Sequence, residues 1–147
     1  MKLSVFGLLC GMLLVSMTLA LRAQSKNQPE SVYAELERAP EKYQQMRNPV
    51  ANDPEAPAAG AVLFEEHCES CHGKEAVGGK KAPSLRAPEV QNAAPGAIFW
   101  ILTNGVVRKK MPVWSKLPEP ERWQLVTYIQ SLNGGKTEAK ARGKNTK

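Results

Sequence analysis

Apolar positions recur at helical spacing in three stretches of the second half of the chain. From about Pro57 to Cys68, a proline tolerated in an opening turn precedes Val62, Leu63 and Phe64, which supply an apolar side. A second helix is predicted from Pro95, carrying Ala97, Ile98, Phe99, Trp100, Ile101 and Leu102 to a stop at Asn104-Gly105. The third starts near Pro118, sets Glu119 and Glu121 at the positive end of its dipole and runs to Asn133-Gly134. In it, Leu125, Tyr128, Ile129 and Leu132 share one face. Trp100 and Trp123 each lie inside an apolar helical pattern and are expected to fill the core. No stretch alternates in the way a strand requires, so the fold class is all-α, a small domain of three main helices.

The flanks read differently. After Met1-Lys2, the run Leu3 to Leu21 carries no charge and ends at Arg22. Its 19 residues exceed the roughly 7–15 of a signal-peptide core and fall within the roughly 17–25 that span a bilayer. The segment is an export signal, and two readings stand: a cleaved leader or a retained membrane anchor. Residues 24–56 are polar and broken by Pro29, Pro40, Pro49 and Pro54, which makes them an arm rather than a domain. Within the arm, Val32, Tyr33 and Leu36, then Tyr43 and Met46, are spaced for two short helical turns that either wrap the neighbouring domain or hang free. Beyond a domain at 57–135, residues 136–147 hold five basic residues against Glu138 and no apolar side chain larger than Ala, the composition of a disordered tail.

Cysteine usage changes the picture. Cys10 lies in the export segment, which leaves Cys68 and Cys71 in Cys68-Glu69-Ser70-Cys71-His72, the spacing of c-type haem attachment. Over one turn of chain the two sulfurs reach the two vinyl groups on one porphyrin edge, and His72 then lies under the iron as proximal ligand. Two other uses of paired cysteines compete, a zinc half-site and a dithiol redox pair. Zinc needs four ligands and only His67, adjacent to the motif, and carboxylates remain; a thioredoxin-like pair needs a βαβ context that the flanks do not offer. A core of this size is marginal alone, and a porphyrin supplies much of the missing apolar contact.

The sixth iron ligand follows by elimination. Met1, Met12 and Met17 belong to the leader, and Met46 lies in the polar arm, whereas Met111 follows the second helix in a loop held by Pro112. Met111 is the expected distal ligand. In the competing arrangement Met111 only packs on the porphyrin and His67 or water completes the iron; His67 itself is expected to be solvated.

Together, Gly60 and Phe64, Cys68 to Gly73, Pro83-Ser84-Leu85, Asn104-Gly105, Met111-Pro112 and the Tyr128 helix resemble class I monohaem cytochromes c of bacterial type. The resemblance spans about Pro57 to Leu132 and leaves the arm and tail outside. It implies that the first and last helices cross, with Gly60 allowing close approach and Phe64 and Tyr128 packing nearby. It implies also that the Pro83 carbonyl accepts the second ring N–H of His72 and fixes the imidazole. Arg86, just after the Pro83 loop, and Trp114, three residues after Met111, are candidate donors to the haem propionates.

With His72 and Met111 both on the iron, no position is open to substrate, and the metal changes charge without changing ligands. The expected function is therefore single-electron transfer rather than catalysis, by one covalent haem c, in the bacterial periplasm or on the membrane surface facing it. A dehydrogenase or quinol-oxidising complex is the expected donor, and a terminal oxidase or other redox protein the acceptor. Two alternatives remain: a dedicated cytochrome subunit of a periplasmic dehydrogenase, docked through the arm, and a haem-based ligand sensor. The formal charge of the whole chain is +6, but between Ala59 and Gly135 nine basic residues face seven acidic ones. Lys80-Lys81 and Arg108-Lys109-Lys110 flank the loops that approach the haem edge in the resembled family, where they steer an acidic partner or are simply solvated. The basic residues lack interleaved aromatics and the chain is exported, so nucleic acid is not an expected partner.

Overall fold

The computed structural model describes residues 31–80 and 82–132. The export segment, Lys81, the Asn133-Gly134 stop and the basic tail lie outside the described residues. Helices α1 (Ala34–Glu37), α2 (Glu41–Gln44), α3 (Ala56–His67), α4 (Glu69–His72), α5 (Pro88–Gln91), α6 (Pro95–Asn104) and α7 (Glu119–Ser131) follow in order, with a 3-10 turn at Val107–Lys109 between the last two. Among the described residues, the one strand-like pairing is an isolated bridge between Val106 and Met111. The protein is all-α, and α3, α6 and α7 are the three predicted helices.

A single close approach organises them. Where α3 crosses α7, a Cβ on Gly60 would overlap the Gln124 carbonyl and come within 2.7 Å of the Tyr128 Cβ. Only a residue without a side chain lets the two backbones meet there. One turn on, the Phe64 and Tyr128 rings lie 5.2 Å apart at 49°, a tilted pair. Helix α6 joins from the other side, stacking Phe99 on Trp123 with centroids 4.1 Å apart. The Arg122 guanidinium sits 4.6 Å above the Phe99 ring and donates to the Leu117 carbonyl, so a charged residue closes the end of the apolar layer.

Helix α7 buries Trp123, Leu125, Val126 and Ile129, a wider stripe than the single predicted face, because both α3 and α6 lean on it. Two apolar expectations fail. Val62 is 64% exposed, since α3 turns Phe64 inward and its neighbour two positions earlier away. Trp100 stays outside the core cluster that includes Trp123, as the buried face of α6 is set by Ala97, Ile98, Phe99 and Leu102.

The arm is folded onto this framework. Tyr33, Leu36, Tyr43 and Val50 pack against the core. Asn48 Nδ2 donates to Thr127 Oγ1 at 2.8 Å and hooks the arm to α7. At Gly96 a Cβ would overlap the Tyr43 carbonyl and approach the Met46 Cβ to 2.7 Å, so α2 rests on the first turn of α6. Four-residue helices are far below the length that is stable alone, and tertiary contact holds them.

Gly60→Ala should destabilise the fold by about 1–3 kcal/mol, because the backbone atoms it meets cannot swing aside as a side chain can. Denaturant unfolding of the haem-loaded protein measures this; an unchanged midpoint would show that α3 and α7 separate at no cost.

Candidate functional site: an apolar cavity over a Cys-x-x-Cys-His turn

Helix α3 ends where Cys68 leaves helical geometry, at φ −121°. The chain then makes one more turn, α4, in which the His72 N–H donates to the Cys68 carbonyl at 3.0 Å. This break and turn bring the Cys68 and Cys71 thiols and the His72 ring to one wall. Both thiols are free, Cys68 partly buried and Cys71 exposed. Burial, and then the neighbouring Cys71, push the Cys68 thiol up to about 11.

The loop after α4 doubles back under the imidazole. Gly73 and Gly78 take left-handed backbone, at φ +79° and +73°. A Cβ on Gly78 would stand 2.5 Å from both the Pro83 carbonyl carbon and the Ser84 nitrogen. Only a residue without a side chain lets the Pro83–Ser84 backbone lie this close, and the Pro83 oxygen is 3.0 Å from His72 Nδ1, which donates to it. The ring is 8% exposed, and burial lowers its pKa against the opposing effect of the Pro83 bond. A neutral imidazole with Nδ1–H committed to a carbonyl leaves Nε2 as its free lone pair, the tautomer that ligates metal.

The opposite wall is a tight hairpin. The Val106 and Met111 backbones exchange hydrogen bonds at 3.0 and 3.2 Å, and Lys110 turns the corner at φ +64°. Gly105, at φ +66°, faces the Met111 and Pro112 carbonyls across less space than a Cβ needs. The Trp114 N–H then donates to the Leu102 carbonyl, tying the far end of the loop to α6. Between the two walls lies a cavity of about 330 Å³. Cys68, Cys71, His72 and Pro83 line one side, Met111 and Trp114 another, and Val90, Ile98, Leu102 and Ile129 form apolar walls.

Six of the seven residues singled out from sequence thus meet at one cavity. Arg86 is not among its lining residues: its Nε donates to the Glu75 carbonyl at 2.6 Å and its Nη1 to the Leu132 carbonyl. A guanidinium held between two carbonyls locks the Pro83 loop to the end of α7 and points away from the expected propionate role. His67, expected to be solvated, is only partly exposed: it lines the cavity and packs its ring 5.1 Å from that of Trp114. Sequence reading missed the arm residues Val32, Tyr33, Glu35 and Leu36, which complete the cavity wall. Their signal was the helical spacing of Val32, Tyr33 and Leu36, which marks an apolar side without saying what it covers.

Among the described residues, no cluster of three or more His, Cys, Asp or Glu side chains is arranged to hold a metal ion. Helices rather than a βαβ unit flank the cysteines. Two free thiols beside a neutral imidazole, facing a thioether across an apolar cavity, fit a covalently bound haem. The fold and this wall define a c-type cytochrome domain. The family model for cytochrome c oxidase, cbb3-type, subunit III matches residues 55–129, and the chain belongs to that family. Membership implies a covalently bound haem c.

Among similar proteins, the cbb3-type cytochrome c oxidase subunit CcoP of Rubrivivax gelatinosus is 33% identical over 87 residues, 58% of this chain and 29% of its own. Subunit FixP from Bradyrhizobium sp. (strain ORS 278) is 33% identical over 86 residues, 54% of this chain and 28% of its own. The chain therefore spans less than a third of the length of these relatives. No solved structure matches it.

Gly78→Ala should cost about 1–3 kcal/mol through left-handed strain alone, and more through its contact with the Pro83 loop. Unfolding of the haem-loaded protein and the ring-proton NMR shifts of His72 should change together; a stability loss with an unmoved His72 signal would separate the loop from the imidazole.

Proposed function

We propose that this chain is an electron carrier with one haem c, in which Cys68 and Cys71 form the thioethers, His72 Nε2 is the proximal ligand and the Met111 sulfur the distal one. The observation that carries the reading is the meeting of these four residues at a single cavity, with the second nitrogen of His72 already committed to Pro83. When bound, the haem supplies a one-electron ferric–ferrous couple whose potential depends on its axial ligands, nearby hydrogen bonds and burial. The chain's own residues do the rest. Pro83 holds the imidazole plane and raises the basicity of His72 through the Nδ1–H bond. Met111, held by its backbone pairing with Val106, presents a soft thioether, which favours ferrous iron. Val90, Ile98, Leu102 and Ile129 exclude water, and so limit the solvent that must reorient when charge changes. Trp114 is our candidate for the haem edge; Arg86 acts as a loop clamp.

With both axial positions filled, the domain moves electrons and is not an enzyme in itself. We place it in a bacterial respiratory chain on the periplasmic side, exported through residues 3–21 as a leader or anchor. No described helix is long and apolar enough to cross a membrane, and residues 3–21 lie outside the described set. A dehydrogenase or quinol-oxidising complex is the proposed donor. Relatives that are named as oxidase subunits support a terminal oxidase as acceptor. Those names also favour a second reading, a dedicated cytochrome subunit of a larger redox complex, which copurification with a larger partner distinguishes from a freely diffusing carrier.

Haem should survive acidified organic extraction and denaturing electrophoresis, and Cys68→Ser with Cys71→Ser should abolish that retention. Full release of haem from the wild-type chain would end the reading.

Met111 is tested separately. The wild-type ferric protein should show the weak near-infrared sulfur-to-iron band, and the ferrous protein should bind carbon monoxide slowly. Met111→Ala should remove the band, admit carbon monoxide and lower the reduction potential, whereas Met46→Ala should do none of these. Rapid carbon monoxide binding by the wild type would favour a ligand sensor instead.

A further inference from the structure

The arm and the Met111 loop meet at a charge pair whose two partners lie 73 residues apart in sequence. The Glu35 carboxylate, on α1, is only 13% exposed and accepts from Arg108 Nη2 of the 3-10 turn that precedes Met111. Arg38, at i+3 in the arm, donates to the same carboxylate oxygen at 2.7 Å. Beside them, Lys109 Nζ donates to the Val32 carbonyl at 3.2 Å. The Tyr33 hydroxyl in turn meets the Ser84 backbone, next to the Pro83 that holds His72. Residues 32–36 thus touch both the loop under the proximal imidazole and the loop that carries the distal sulfur, while Val32, Tyr33 and Leu36 line the cavity between them.

A carboxylate largely removed from water needs a cation at a fixed place, and here one of the two cations belongs to the distal loop. The backbone of the loop pairs with itself, through the Val106–Met111 bridge and the turn bonds from Lys109 to Val106 and from Lys110 to Val107, and Val107 is 74% exposed, so the side chains of Arg108 and Lys109 tie it to the arm. We propose that Glu35 is a positioning residue for the distal ligand, acting through Arg108 to keep the 107–111 loop against the cavity so that the Met111 sulfur stays on the iron. The inference rests on Met111 ligation as proposed above, and goes beyond it by assigning to the arm a share of ligand retention. Glu35 touches no reacting atom, so its effect is on how often the loop opens.

The test uses the full-length, haem-loaded protein and a double-mutant cycle of Glu35→Gln and Arg108→Gln, read by the rate of carbon monoxide binding to ferrous protein and the denaturant midpoint of the near-infrared band. Each single variant should speed binding about fivefold, the upper range for a pair with one partner facing solvent. The band should be lost at lower denaturant than helicity is. The double variant should be no faster than Glu35→Gln alone, since each single variant already breaks the Glu35–Arg108 pair. Arg38→Ala, which leaves the Glu35–Arg108 pair in place, should bind at the wild-type rate.

Additive effects in the cycle, or single variants as slow as wild type, overturn the inference, as does an Arg38→Ala variant as fast as Glu35→Gln, which would trace the effect to folding of the arm. If Glu35→Gln fails to fold, Arg108→Gln, at an exposed side chain, answers on its own: a wild-type rate overturns the inference. A wild-type protein that lacks the band defeats Met111 ligation and this inference with it, whereas a normal wild type with unaltered variants defeats this inference alone.

Discussion

Everything at the site depends on two helix backbones touching at Gly60. That contact lets α7 lie close enough to α3 for Phe64, Tyr128, Leu125 and Ile129 to share one apolar layer. It also sets how α3 lies against α7, and the residue after the end of α3 is Cys68. The Cys-x-x-Cys-His turn thus follows directly from a helix whose packing is set two turns upstream. Four residues are too few to be stable alone, so α4 holds Cys71 and His72 in place because it follows α3 directly and residues 73–80 and 82–85 close beneath it.

The two sides of the cavity are held by different means. On the His72 side, a left-handed glycine, a proline carbonyl and a guanidinium clamped between two carbonyls leave the loop little freedom. On the Met111 side the restraints are the bridge to Val106, the Trp114–Leu102 backbone bond, and the contacts of Arg108 and Lys109 with the arm. This difference suits the ligand pair proposed above, with the imidazole fixed through backbone and the thioether on a loop tied partly by side chains. It also gives the arm a purpose: it is wall as well as strap, since apolar side chains at 32, 33 and 36 stand where solvent would otherwise reach the cavity. Arg108, expected from sequence as a charge for steering partners, faces the arm's carboxylate, while Lys109 and Lys110 line the cavity and Lys80 stays exposed.

Local pattern was enough to mark the three main helices, because each carries its own start, with Pro57, Pro95 and Pro118 near the openings, and the second its own stop at Gly105. The attachment motif was legible for the same reason, since Cys68, Cys71 and His72 lie within five residues and their chemistry needs no distant partner to be recognised. Elimination and family resemblance then pointed to Met111 and Pro83. Where the reading went astray, the deciding contact was remote. Val62 and Trp100 are apolar residues on helices whose inward faces were chosen by neighbours. Arg86 found carbonyls at Glu75 and Leu132, 11 and 46 residues away.

What this sequence determined by itself is the set of short-range facts: an all-α chain, a Cys-x-x-Cys-His turn, and a methionine in a loop held by proline. Tertiary structure alone decided which apolar faces became core, that the polar arm closes the cavity, and that Glu35 and Arg108 meet. The physical reason is one of range. Helical period and ligand spacing are written within a few residues, whereas burial and charge pairing depend on which surfaces the folded chain brings together, and no local pattern encodes that.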